Sequence, residues 1–151
     1  MANRLSAENL RAVVARASKE GERLREVCGV IVDVGPVLWL VEIRNVARRP
    51  LSFVMHGGSW AAAKRAAKRL GLPVVGTFHS HVVSAPVPGC GDLRGATAGE
   101  LMLIIDSIDG AVRLWRIERG KARPVAHTVL SPTPRRRSRS SSRTSRRRLA
   151  S

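Results

Sequence analysis

Apolar residues recur at helical spacing through Leu10, Val13, Val14 and Ala17, behind Ser6, a residue suited to cap a helix, and ahead of Gly21, which ends it. The pattern then changes to β-branched runs. Residues 27–34 (VCGVIVDV) read as a buried strand, Gly35-Pro36 as a turn and residues 37–44 (VLWLVEIR) as the returning strand of a hairpin. A connection follows over 45–50, with a third strand expected at 51–55. Gly57-Gly58 breaks the chain, and Ser59 is expected to cap a helix over 60–70. That helix places Ala63, Ala66, Ala67 and Leu70 on one face and Lys64, Arg65, Lys68 and Arg69 on the other, and Gly71 and Pro73 stop it. Strands are expected over 73–81, 101–105, 112–117 and 125–130, with Asp109-Gly110 as a hairpin turn and a short helix near Asp92.

Helices and strands in this order predict an α+β domain with a mixed or mostly antiparallel sheet. A length of 151 residues suits one such domain. Charge divides the chain. Of a formal net charge of +16, half falls in residues 131–151, which hold eight arginines, no acid and almost nothing apolar. The expected organisation is therefore a folded domain over 1–130 and a disordered Arg/Ser-rich tail over 131–151. Such a tail is either a solvated basic segment or a contact for nucleic acid or an acidic protein. Its arginines have no aromatic residue among them for base stacking. No apolar run is long enough to span a bilayer, and residues 1–26 lack a signal-peptide core, so a cytoplasmic protein with no membrane partner is expected. Two cysteines, Cys28 and Cys90, are too few for a disulfide scaffold. Cys28 reads as a small buried residue, the three tryptophans as core or core edge, and His56 and His127 as surface residues.

The chemistry concentrates at His79-Ser80-His81 and Asp92. Residues i and i+2 of a strand point to the same side, so His79 and His81 present two imidazoles to one point. Asp92 reaches that point through a loop containing Pro86 and Pro88. Two histidines and one carboxylate, with a fourth position left for water, make a catalytic zinc arrangement; a structural site would normally close with cysteine.

Glu26 stands directly before the first long strand, in the run Glu26-Val27-Cys28-Gly29. Together with His79-Ser80-His81 and Asp92 it resembles the JAMM (JAB1/MPN/Mov34) metalloprotease family, in its prokaryotic JAB-domain branch. That pattern is a Glu ahead of the first strand, then His-x-His, seven residues, and Ser-x-x-Asp. Asp92 stands eleven residues after His81, as the pattern requires, and Asn45, Pro50, Phe53 and Pro88 fall where relatives often carry the same residues. The resemblance covers roughly residues 8 to 118. Two positions depart from it: Gly89 occupies the motif Ser, and Val82 the usual Pro. Ser84 is close in sequence but does not match the motif position.

The resemblance implies an MPN/JAB-like (cytidine-deaminase-like) mixed sheet flanked by helices. It implies Zn2+ held by His79, His81 and Asp92, with Glu26 activating a water against an amide or isopeptide bond. The implied substrate is a protein or peptide, such as a ubiquitin-like or sulfur-carrier-like C-terminus, laid out as an extended strand. Gly89 takes the place of the side chain that in the family helps to hold the oxyanion, so a weak hydrolase is expected. The alternatives are an inactive MPN-type interaction module and a nucleic-acid-associated factor defined by its tail.

Overall fold

The computed structural model describes residues 3–132. The disorder expected of the basic tail concerns residues that, apart from 131 and 132, lie outside that range. The elements are β1 (Asn3–Ser6), α1 (Ala7–Gly21), β2 (Cys28–Asp33), β3 (Leu38–Ile43), α2 (Gly57–Arg69), β4 (Val74–His81), α3 (Cys90–Arg94), β5 (Leu101–Asp106), β6 (Val112–Glu118), β7 (Lys121–Val125) and β8 (His127–Leu130). The strands form one mixed sheet in the order β7-β6-β5-β4-β2-β3-β1-β8. β1 runs parallel to β3 and β8, and β4 parallel to β5; the other pairs are antiparallel.

Ala126 alone separates β7 from β8, yet these strands stand at opposite ends of the strand order. One residue spans at most about 7 Å between its neighbours' Cα atoms. The sheet therefore curls until its two ends meet, with α1 packed against its inner face. Leu5, Ile31, Leu40, Phe78, Leu103, Ile105 and Leu114 form the core of that face with Val13 and Ala17 of α1. Asn9 of α1 extends the ladder where β1 stops: its side chain donates to the Leu40 carbonyl at 3.0 Å and accepts from the Leu40 N–H at 2.7 Å.

The outer face carries two smaller cores. Val30, Val32 and Ile43 pack with Trp60 and Ala63 of α2. Met102, Ile104, Trp115 and Ile117 pack with Leu93 of α3 and Ala96. Between the two lies a trench with Thr77 and Met102 among its lining residues.

Several expected features differ. β1 was not anticipated. His56, rather than Ser59, is the N-cap of α2, its Nδ1 accepting the Ser59 N–H at 3.1 Å. The strand expected at 51–55 does not form: Met55 makes only an isolated bridge to Asn45, beyond the end of β3, and Leu51 has φ of 57°. The strand expected at 125–130 begins after a break at Ala126. His56 and His127 are half-buried rather than surface residues, and Trp39 is exposed rather than core.

Candidate metal centre

β4 carries both histidines because alternate residues of a strand share a face. Its outer face presents Thr77, His79 and His81; its inner face presents Gly76, Phe78 and Ser80. The chain then loops out, and the short helix α3 returns Asp92. The His79 and His81 Nε2 atoms lie 3.1 Å apart. The Asp92 carboxylate stands 3.2 Å from His79 Nε2 through Oδ1 and 3.3 Å from His81 Nε2 through Oδ2.

These separations test the site against a metal. Bonds of about 2.0–2.2 Å in a tetrahedral shell put neighbouring ligand atoms about 3.3–3.6 Å apart. The observed separations, 3.1, 3.2 and 3.3 Å, lie at or slightly below the short end of that span. The donor set, two imidazole nitrogens and one carboxylate, is that of a zinc site with one position open. Protonation supports the same reading. His81 Nδ1 lies 2.7 Å from the Ala85 carbonyl, which can only accept. The proton of a neutral His81 is thereby held at Nδ1, and the Nε2 lone pair is directed at the cluster, as an outer carbonyl arranges for a metal-binding histidine. His79 stacks on Phe53, ring centroids 4.6 Å apart, and its buried Nδ1 has no hydrogen-bond partner among the described residues.

Glu26 lines the same trench as His81 and Asp92, a cleft of about 780 Å³. It is only 9% exposed. Burial pushes its carboxyl up to about 7; nearby Asp92 adds to the rise and His81 opposes it. Desolvation also acts on Asp92, but in the metal-free site interaction with the two imidazoles, when they are protonated, and the hydrogen bond from the Gly89 N–H outweigh it and hold this carboxyl below its ordinary range. His81 is shifted up, chiefly by its hydrogen bond to Asp92.

Two positioning residues, Ser80 and Asn45, were not assigned roles from sequence. Ser80, between the histidines, is fully buried on the inner face. Its Oγ accepts the Val27 N–H at 2.9 Å, and its own N–H donates to the Val27 carbonyl at 2.9 Å. The residue after Glu26 is thus fixed to the strand that carries the histidines. Asn45 donates to the carbonyls of Glu26 (2.8 Å) and Ser52 (3.0 Å) and accepts from the N–H groups of Ala47 and Val54. It ties Glu26 to the segment bearing Phe53. Seeing the Ser80 role needs the spatial pairing of β2 with β4, and seeing the Asn45 role that of β2 with β3, neither of which local sequence contains.

Gly89 is the N-cap of α3, with φ −85° and ψ 172°, an extended conformation open to any residue. Its N–H donates to Asp92 Oδ2 at 2.8 Å. Asp92 thus forms one half of a capping box, and the half that a Ser side chain would supply is missing. Cys28 is buried, with its thiol pushed up to about 12 by desolvation, which suits a packing residue and not a nucleophile. Cys90 is exposed.

Residues 6–118 match the family described as prokaryotic homologs of the JAB domain. The chain belongs to the prokaryotic JAB family. Among its relatives is desampylase of Pyrococcus furiosus, 33% identical over 91 residues, which are 60% of this chain and 65% of that protein. The alignment thus spans a little under two thirds of desampylase. A solution structure from Desulfitobacterium hafniense superposes with a TM-score of 0.68 at 20% identity, covering 85% of this chain and 92% of the other. A structure described as JAMM, a metalloprotease-like zinc site in the proteasome and signalosome, superposes at 0.54 and 16% identity, covering 86% and 99%. The mixed sheet flanked by helices is the JAB fold. β7, β8 and all of β1 but Ser6 lie outside the matched segment. No helix among the described residues of this JAB-family chain is long and apolar enough to cross a membrane.

Proposed function

We propose that this JAB-family protein is a zinc-dependent hydrolase of amide or isopeptide bonds. His79, His81 and Asp92 hold the metal, and Glu26 is the general base. One observation carries the reading: two imidazole nitrogens and a carboxylate converge at 3.1–3.3 Å, and His81 and Asp92 of that cluster line one cleft with the buried Glu26. Zinc, when bound, supplies Lewis acidity toward a carbonyl oxygen and a water.

The chain's own residues do the rest. Asp92, held ionised by its hydrogen bonds, contributes the negative charge of the ligand set. The Ala85 carbonyl keeps the His81 proton on the outer nitrogen. Glu26 takes a proton from the attacking water at a carboxylate oxygen and delivers it to the leaving amine. A base with its pKa near the working pH both accepts and returns a proton readily, and burial places Glu26 there. The Gly89 N–H is engaged by Asp92 and is not free to hold an oxyanion. This supports slow turnover. The kinship with desampylase supports a protein substrate joined to a small modifier by an isopeptide bond.

The test is Glu26→Gln. It is expected to keep one zinc per chain while lowering turnover by about 10²–10⁴-fold, the usual contribution of a general acid–base. Wild-type activity is expected to rise with pH as Glu26 loses its proton, since the base works only when ionised, and a bound cation moves that limb below about 7. Loss of zinc in Glu26→Gln would make Glu26 a ligand, and unchanged turnover would remove it from the mechanism.

A further inference from the structure

The trench continues well beyond the candidate metal centre. Its lining includes Thr77, Met102 and, at the end remote from His81, Glu100. Glu100 precedes β5 by one residue, and its carbonyl still accepts the Ile117 N–H at 2.9 Å. Strand alternation therefore puts its side chain on the outer face with Met102 and Ile104. No ion pair or side-chain hydrogen bond engages it among the described residues.

The charge of this trench is the reverse of the molecule's. The protein carries a net +16. The two neighbouring hollows both carry arginines, Arg23 and Arg25 in each; the one at the ends of α1 and β3 mixes them with Glu20, Glu26 and Glu42, and the one along the 47–52 connection has no acid. The trench contains Glu26, Asp92 and Glu100 and no lysine or arginine. With Asp92 and Glu26 engaged at the reactive end, Glu100 is the carboxylate left for a ligand.

We propose that Glu100 forms a subsite for a cationic side chain of the substrate, about four residues on the acyl side of the scissile bond. The distance comes from the sheet. His79 pairs with Ile104, and Glu100 lies four residues before Ile104, about 13 Å at 3.3 Å per residue. An extended substrate lying in the trench covers that length in the same number of residues. The acyl side is assigned because, across an isopeptide bond, only that side offers a continuous extended backbone; the other is a lysine side chain. The inference rests on the isopeptidase reading for its direction and on the trench for its charge.

The experiment measures binding, so that it stands apart from catalysis. Three fluorescein-labelled hexapeptides, Ser-Ser-X-Val-Ser-Gly with a free C-terminal carboxylate and X as Arg, Gln or Glu, are titrated by anisotropy against the zinc-supplemented full chain. The net positive charge favours the Glu peptide, so a preference for Arg must arise locally. A partly exposed ion pair worth about 0.2–1 kcal/mol corresponds to a preference for Arg over Gln of up to about fivefold, and we expect about three- to fivefold. Glu100→Gln should abolish that preference and Glu100→Lys should reverse it toward the Glu peptide, with unchanged melting temperatures. Equal binding of the Arg and Gln peptides by wild type, no binding of any peptide, or an Arg preference that survives Glu100→Gln would each overturn the subsite. Failure to cleave the corresponding fluorogenic amides, with the Arg preference intact, would instead overturn the hydrolase reading and leave the subsite standing.

Discussion

The two faces of β4 do different work from the same eight residues. On the inner face Phe78 and Ser80 are fully buried against α1 and β2, and the surrounding core is apolar. On the outer face Thr77 and His81 line the trench between α2 and α3, and His79 is buried against the Phe53 ring. The close packing of one side is what allows precision on the other. A core at crystal-like density cannot shift without cost, so imidazoles carried on its reverse side are held within tenths of an ångström. Gly29 shows how tight that inner side is: a Cβ there would lie 2.1 Å from the Val41 carbonyl oxygen and 2.5 Å from the Phe78 ring.

Five substitutions separate the faces. The largest effect is expected on the outer one. His79→Ala and His81→Ala should each bring zinc, measured by elemental analysis, from about one per chain to a small fraction of that, with turnover at least 10³-fold lower as metal catalysis is lost. The fold should persist in both, since neither ring is part of the inner core. Full zinc occupancy in both variants would refute the ligand assignment.

Phe78→Ala attacks the inner face. Removing a fully buried aromatic ring costs about 3–5 kcal/mol, read as a large fall in melting temperature or denaturant midpoint. If the faces are coupled as argued, zinc affinity falls in the same variant. Unchanged affinity in the folded fraction would show the outer face to be independent of its support.

Ser80→Ala tests the link between them. It leaves the buried Val27 N–H without its acceptor, at about 1–3 kcal/mol. Because that bond also locates Glu26, turnover is expected to fall with zinc stoichiometry unchanged; loss of stability alone would make Ser80 purely structural. The smallest effect belongs to Gly89→Ser. Its extended backbone imposes no strain, and the new Cβ meets only Asp92 Oδ2, at 3.6 Å. The hydroxyl completes the capping box. It is also expected to raise turnover about tenfold, below the full 10²–10³ of an oxyanion donor because the loop is not shaped around it. No gain at matched zinc content would show that the oxyanion is held elsewhere.

The sequence and the structure agree most closely where periodicity is strong. α1, β2, β3, β4, β5 and β6 follow from runs of five or more patterned residues, and the His-x-His spacing works because β4 is extended. The failures share a cause, the short or irregular segment whose conformation is decided by a distant partner. β1 has four residues and one buried side chain, Leu5, and exists because β8 lies beside it. β7 contains Pro124, tolerated next to β6 on a strand with no second neighbour. Around 51–55 the chain looks strand-like in composition, but Asn45 takes the hydrogen bonds of that stretch into its own side chain. At the site, the residue types and spacing of Glu26, His79, His81 and Asp92 were legible. The Ser80–Val27 link, the Asn45 hub and the charge of the trench were not, because each joins segments far apart in the chain.

The pairing of Asn3 with His127 carries a consequence for how the molecule is made. A ribosome delivers β1 first, yet its outer neighbour arrives 124 residues later, and the loop between them must close before that pairing gains anything. On the emerging chain the hairpin of β2 and β3, and then β4, meet their partners early, so Glu26 and both histidines come together while β1 still lacks one side. Closure of the curled sheet waits for residue 130. Once residue 118 has left the ribosome, the candidate ligands can be in place while the β1 edge is still open to other strands.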